Sequence, residues 1–134
     1  MHIEKTNKKE AFDFLVEQAY KRIKRDNNKN VYNEFKKLYL DDINIDDKIY
    51  AAFDDSKVIG CAYLTYDNYI KDIYVLDEYK HLNIEEQLIN EITKDNNKTI
   101  LAYINPSDVY KYSSYGFGVI DNIGDSITVE RRVK

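Results

Sequence analysis

Tyr112, Asp72 and the run from Lys80 to Glu86 are where residue type and neighbours could do chemistry in this 134-residue chain. Tyr112 stands in an aromatic run closed by Gly116. A phenol with a pKa near 10 is a neutral proton donor at neutral pH, although the same ring could simply pack a short helix onto a sheet. Asp72 lies in a strand-like run and reads either as a base or as an outward-facing carboxylate; an exposed Asp is a weak base for an ammonium ion unless burial strengthens it. Lys80 leads into Asn83-Ile84-Glu85-Glu86, which reads as a helix start. Unpaired N–H groups and the positive end of the helix dipole make such a start an anion site. The Asn83 side chain is expected to cap it, with Glu86 reaching back as in a capping box, so two carboxylates enter the field an anion would use. Cys61 follows Gly60 in an apolar run without a His or basic neighbour, and reads as an inert buried thiol. His2 and His81 are far apart and carry no ligand motif, so no metal is expected. Lys21, Arg22, Lys24 and Arg25 read as a solvated helix end complementing the dipole.

These residues must be positioned by elements that the hydrophobic period marks. Met1–Glu4 reads as a short strand. Phe12, Leu15, Val16, Ala19 and Ile23 fall on one face of a first helix, broken by Asp26-Asn27-Asn28-Lys29. Asn30 is the expected cap of a second helix carrying Val31, Phe35, Leu38 and Tyr39. The period then becomes that of strands over 48–53, 57–66 and 69–76, with turns at 54–56 and 67–68. It returns to helix from Asn83, with Ile84, Leu88, Ile89 and Ile92 on one face. Thr99–Ile104 reads as a central strand, Pro106 ends it, and Ser107–Tyr115 is a short helix stopped by Gly116. Strands at 117–121 and 126–133 close the chain. The order is βααβββαβαββ, an α/β (α+β) mixed sheet with a parallel, splayed central strand pair.

Composition narrows the function classes. A chain of this length suits one domain, 1–134, with a self-sufficient core, and 43% apolar with 33% charged residues describes a soluble globular protein. A net charge of −4 speaks against a nucleic-acid binder, and no apolar run reaches the roughly 18–20 residues a bilayer requires. The single cysteine excludes a disulfide framework and a multi-Cys zinc site. With no signal-like start, a cytoplasmic location is expected.

Four local patterns resemble the GNAT superfamily of N-acyltransferases over essentially the whole chain. Lys57-Val58-Ile59-Gly60-Cys61-Ala62-Tyr63-Leu64 is similar to its "x-V-x-G-x-x-x-L" strand. Asp72-Ile73-Tyr74-Val75-Leu76-Asp77-Glu78-Tyr79-Lys80 is similar to "E-L-x-V-x-P-E-Y-R". Asn105, Tyr112 and Gly116-Phe117 match "N-x-x-A-x-x-x-Y-x-x-x-G-F" in spacing, with Asp108 in place of Ala. The pyrophosphate loop, "Q/R-x-x-G-x-G/A", corresponds to Lys80, His81, Leu82, Asn83, Ile84 and Glu85. Lys80 keeps the charge and Asn83 tolerates the left-handed backbone a glycine would adopt, but Glu85 departs. A carboxylate about 5 Å from a phosphate costs about 3 kcal/mol at an effective dielectric near 20, and under about 1 in solvent.

The resemblance implies an N-acetyltransferase that uses acetyl-CoA as co-substrate and passes acetyl directly to a primary amine in a ternary complex. On that footing Asp72 or a water assists deprotonation, and backbone amides around Tyr74 and Val75 hold the oxyanion. Asn105 bonds the pantetheine arm, the Lys80–Glu85 loop holds pyrophosphate, and Tyr112 protonates the thiolate. The acceptor is a small molecule or peptide amine, cationic if Asp41, Asp42, Asp46, Asp47, Asp121 and Asp125 wall its site between the first two helices and the 122–125 hairpin. The protein would be a monomer or homodimer. The alternative is a non-catalytic binding or regulatory module on the same fold, with Glu85 and Glu86 filling the pyrophosphate site.

Overall fold

The computed structural model describes residues 1–23 and 28–132, so the expected break at 26–27 and the cations Lys24 and Arg25 lie outside the described residues. The strands are β1 (His2–Lys5), β2 (Lys48–Asp54), β3 (Lys57–Leu64), β4 (Tyr69–Val75), β5 (Ile100–Ile104), β6 (Gly118–Ile123) and β7 (Ser126–Arg131). The helices are α1 (Lys9–Ile23), α2 (Lys29–Asp41), α3 (Ile84–Asn96) and α4 (Val109–Ser114), with 3-10 turns at Asp77–Leu82 and Pro106–Asp108. All strands join one sheet in the order β1-β2-β3-β4-β5-β7-β6. Neighbours are antiparallel except β4 and β5, which run parallel and pair only through Tyr69 with Leu101 and Ile70 with Ala102.

The apolar runs of β2 and β3 are buried on both faces, as continuous runs in a covered sheet must be. Ile49, Ala51 and Phe53 point to α1, packing with Ala11, Phe14 and Leu15. Tyr50 and Ala52 point to α3, whose Ile84, Leu88, Ile89 and Ile92 are fully buried. Each such side chain contributes about 1.5–3 kcal/mol by leaving water. That second core continues beneath α4 through Ile104, Ile127, Val129 and Phe117.

Three expectations are corrected. Asn28, not Asn30, caps α2: its Oδ1 accepts from the Asn30 and Val31 amides at 2.8 and 3.3 Å. Ile23, expected on the buried face of α1, is 54% exposed, because the buried stripe runs instead through Phe14 and Tyr20. The apolar face of α2 buries no residue fully, and Leu38 is 63% exposed.

Candidate functional site

β4 leaves its neighbour because of a bulge. Tyr63 of β3 faces Asp72 and Leu64 faces Ile70, so Lys71 is the extra residue. A bulge bends its strand and increases the local twist. Beyond Ile70 the edge of β4 is therefore no longer paired with β5. The Leu76 N–H goes to Ile59 O on the β3 side at 2.9 Å. Strand N–H groups alternate sides, so the Val75 N–H points into the gap.

That gap is a cavity of about 590 Å³ whose wall brings together Asp72, Tyr74, Val75, Lys80, Glu85, Asn105 and Tyr112. His81, Leu82, Asn83 and Ile84 are not on it. Ile84 is fully buried in the core, and Leu82 is 44% exposed. A larger hollow, about 860 Å³, lies between the start of α1 and residues 43–49; of the expected site residues it holds Asp46 and Asp47 alone.

The floor is set where α3 begins. Gly60 lets that helix approach: a Cβ there would stand 3.1 Å from Ile84 Cγ2 and 3.3 Å from Tyr74 O. Asn83 adopts the left-handed conformation (φ 57°, ψ 33°), as its glycine-like position suggested. Its side chain makes no cap, which corrects the capping-box expectation; a left-handed residue aims its side chain away from the helix N–H groups. The Gln87 N–H bonds to Asn83 O at 3.1 Å, leaving the three preceding amides without intrahelical partners. Those open amides, Lys80 and a gap this size fit the diphosphate and pantetheine arm of coenzyme A. Lys80 pairs with Asp77 at 3.0 Å. Glu85 is not free: its Oε1 lies 3.3 Å from Lys111 Nζ.

Tyr112 is 6% exposed and packs edge-on to Tyr115 and Phe117, with ring centroids 5.6 and 5.3 Å away. Burial pushes its phenol well above the usual range, the Glu85 and Asp108 carboxylates add to this, and Arg22 opposes it. Asp72 accepts hydrogen bonds from Tyr39 at 2.7 Å and Tyr74 at 3.0 Å. The Tyr74 phenol is pushed up to about 12, first by burial and then by Asp72, while a hydrogen bond with Arg22 pulls it down. Lys71 places its ammonium over the Tyr39 and Tyr63 rings, 5.3 and 5.0 Å from their centroids, and pairs with Asp42 at 3.1 Å.

Arg22 and Lys21 therefore line the cavity with Gln18 instead of forming only a solvated helix end. Residues 18, 21 and 22 share a helix face at i, i+3 and i+4, the one signal that could have marked them. Lys111 and Lys71 also lie on the wall and carried no sequence signal. None of the six aspartates expected to wall an acceptor lies there, nor does the 122–125 hairpin. Asp47 instead accepts from the Tyr63 hydroxyl and, at 2.8 Å, from the Tyr66 amide. Cys61 is fully buried, its thiol donates to Ala11 O at 3.6 Å, and burial pushes its pKa up to about 12. Among the described residues no group of three His, Cys, Asp or Glu could hold a metal ion, and no helix is long and apolar enough to cross a membrane.

A family model described as an acetyltransferase (GNAT) domain matches residues 5–126. None of the curated proteins matches the chain in sequence. Among solved structures, it is similar to the PaiA N-acetyltransferase of Thermoplasma acidophilum in complex with coenzyme A, at 23% identity and TM-score 0.67, covering 98% of this chain and 99% of that one. The spermidine N-acetyltransferase SpeG F149A mutant from Vibrio cholerae gives 13% identity and TM-score 0.75, covering 98% and 95%. The ribosomal-protein-S18-alanine N-acetyltransferase from Escherichia coli gives 11% and 0.74, covering 99% and 94%. At these identities the structural likeness speaks for the fold.

Proposed function

The chain belongs to the GNAT acetyltransferase family, and from that premise we propose that it transfers acetyl from acetyl-CoA to a primary amine by direct attack. The observation that carries the reading is the gap between β4 and β5, whose wall holds Val75, Tyr112 and, from the first turn of α3, Glu85. The donor's diphosphate would lie at those amides, near Lys80, with Asn105 beside its pantetheine arm. The thioester carbonyl would then face the Val75 N–H, a fixed donor for the oxyanion that forms on attack. The neutral amine attacks the carbonyl carbon, the C–S bond breaks, the nitrogen loses a proton and the departing thiolate gains one. Tyr112 supplies the sulfur's proton. Asp72, held by Tyr39 and Tyr74, receives the nitrogen's proton directly or through water.

On the acceptor's side Lys21, Arg22 and Lys71 stand with Asp72. These cations disfavour a polyamine, so the acceptor is read as a substrate with one reactive amine, small or peptide. Two structural relatives are named for spermidine and for the S18 alanine, so the fold accommodates both kinds. Calorimetry with acetyl-CoA, followed by thiol release over a panel of monoamines, peptides and spermidine, tests the reading. Binding with amine-dependent thiol release is expected, weakest with spermidine. A second reading, a non-catalytic binding module, is favoured by the Glu85 carboxylate on the cavity wall. It prevails if millimolar acetyl-CoA gives no heat and no amine releases thiol.

A further inference from the structure

We propose that Lys111 is the positioning cation of the donor's phosphate site, cancelling Glu85 and supplying the positive charge that the loop itself presents poorly. This rests on the donor reading above. Glu85 stands in the first turn of α3 and Lys111 on α4, and both line the cavity. Glu85 is 23% exposed, and its Oε1 is buried without a hydrogen bond. Lys111 Nζ, 3.3 Å away, is its ionic partner and lies 3.7 Å from Asp108 Oδ1. The loop's own cation, Lys80, is 65% exposed and turned to Asp77.

An ammonium carries three donors and no acceptor, so with two carboxylates beside it Lys111 still has a donor for an incoming phosphate. At 44% exposure it remains within reach of a ligand. Without Lys111, Glu85 would face the diphosphate uncompensated. At about 5 Å and an effective dielectric near 20 that repulsion corresponds to about a hundredfold in affinity. The roles are therefore asymmetric: losing the cation weakens donor binding, losing the carboxylate strengthens it, and losing both nearly restores it. A pair that only ties α3 to α4 would show no such pattern.

Calorimetry with coenzyme A on the wild type, Lys111→Met, Glu85→Gln, the double variant and Lys111→Arg reads this out, with ligand-free melting midpoints as the folding control. Lys111→Met should weaken binding about 10- to 100-fold, and less at high salt, where the repulsion is screened. Glu85→Gln should tighten it by about the same 10- to 100-fold, since it removes that repulsion, and the double variant should return to about wild type. Lys111→Arg should keep most of the affinity. Equal dissociation constants across the series overturn the proposal and leave donor binding standing. A Lys111→Met loss that the double variant does not repair, tracking a lowered midpoint, overturns it too. No heat from any of the proteins overturns the donor reading and the proposal together, so the two failures are distinguishable.

Discussion

Tyr112 meets opposing demands. Burial and the nearby Glu85 and Asp108 carboxylates keep its proton on, which makes it a dependable donor but a weak acid, while Arg22 pulls the other way. Its proton is drawn towards the departing sulfur only as negative charge builds there, so its contribution should fall on the transition state. Tyr112→Phe fills the same space between Tyr115 and Phe117 and should lower kcat by about 10- to 1000-fold with the donor's Kd nearly unchanged. Steady-state rates beside calorimetry check this, and an unchanged kcat removes Tyr112 from the mechanism. Tyr112 could be located in the sequence because Asn105, Gly116 and Phe117 stand at fixed distances from it. Lys111 could not, since a charged residue on a helix looks the same in solvent and in a cleft until the opposite wall is placed.

The α3 start is held against the sheet by contacts, and Gly60 is where they are closest. A branched side chain there would meet Ile84 Cγ2 and, less forgivingly, the Tyr74 carbonyl on the strand that forms the cavity wall. Gly60→Val should therefore cost about 1–3 kcal/mol and weaken donor binding, because relief requires α3 to back away from Val75. Chemical denaturation and calorimetry measure both; a loss under about 0.5 kcal/mol with unchanged affinity would show that the contact yields freely. The helix and strand periods were legible because both faces of β2 and β3 and one face of α3 are buried. The Asp77–Leu82 3-10 segment was not, since 6 residues of that helix are too short to show a period. The α2 start was misplaced by two residues because Asn28 and Asn30 are equally good cap types, and only the backbone decides between them.

The molecule as a whole is rich in phenols held neutral. Tyr39, Tyr50, Tyr63, Tyr74, Tyr112 and Tyr115 are all raised, with burial the leading cause, Tyr74 and Tyr115 to about 12. The unfolded chain loses these protons near its ordinary value of 10.0, before the folded one does. Stability from this source is therefore fully present below about pH 10 and lost as pH rises towards 12. Melting midpoints should be flat up to the lower limit and then fall, with tyrosinate absorbance rising on unfolding; a flat midpoint throughout contradicts the burial of these rings. The parting of β4 from β5 has a consequence in a different observable, the exchange of amide hydrogens with heavy water. Neighbouring amides of one well-packed strand should differ: Leu76, bonded to Ile59, should be protected, while Val75, facing the open gap, should exchange readily. Anything that settles in the gap and accepts from Val75 should slow that one amide out of proportion to the rest of the sheet, reporting occupancy with no need to know the acceptor.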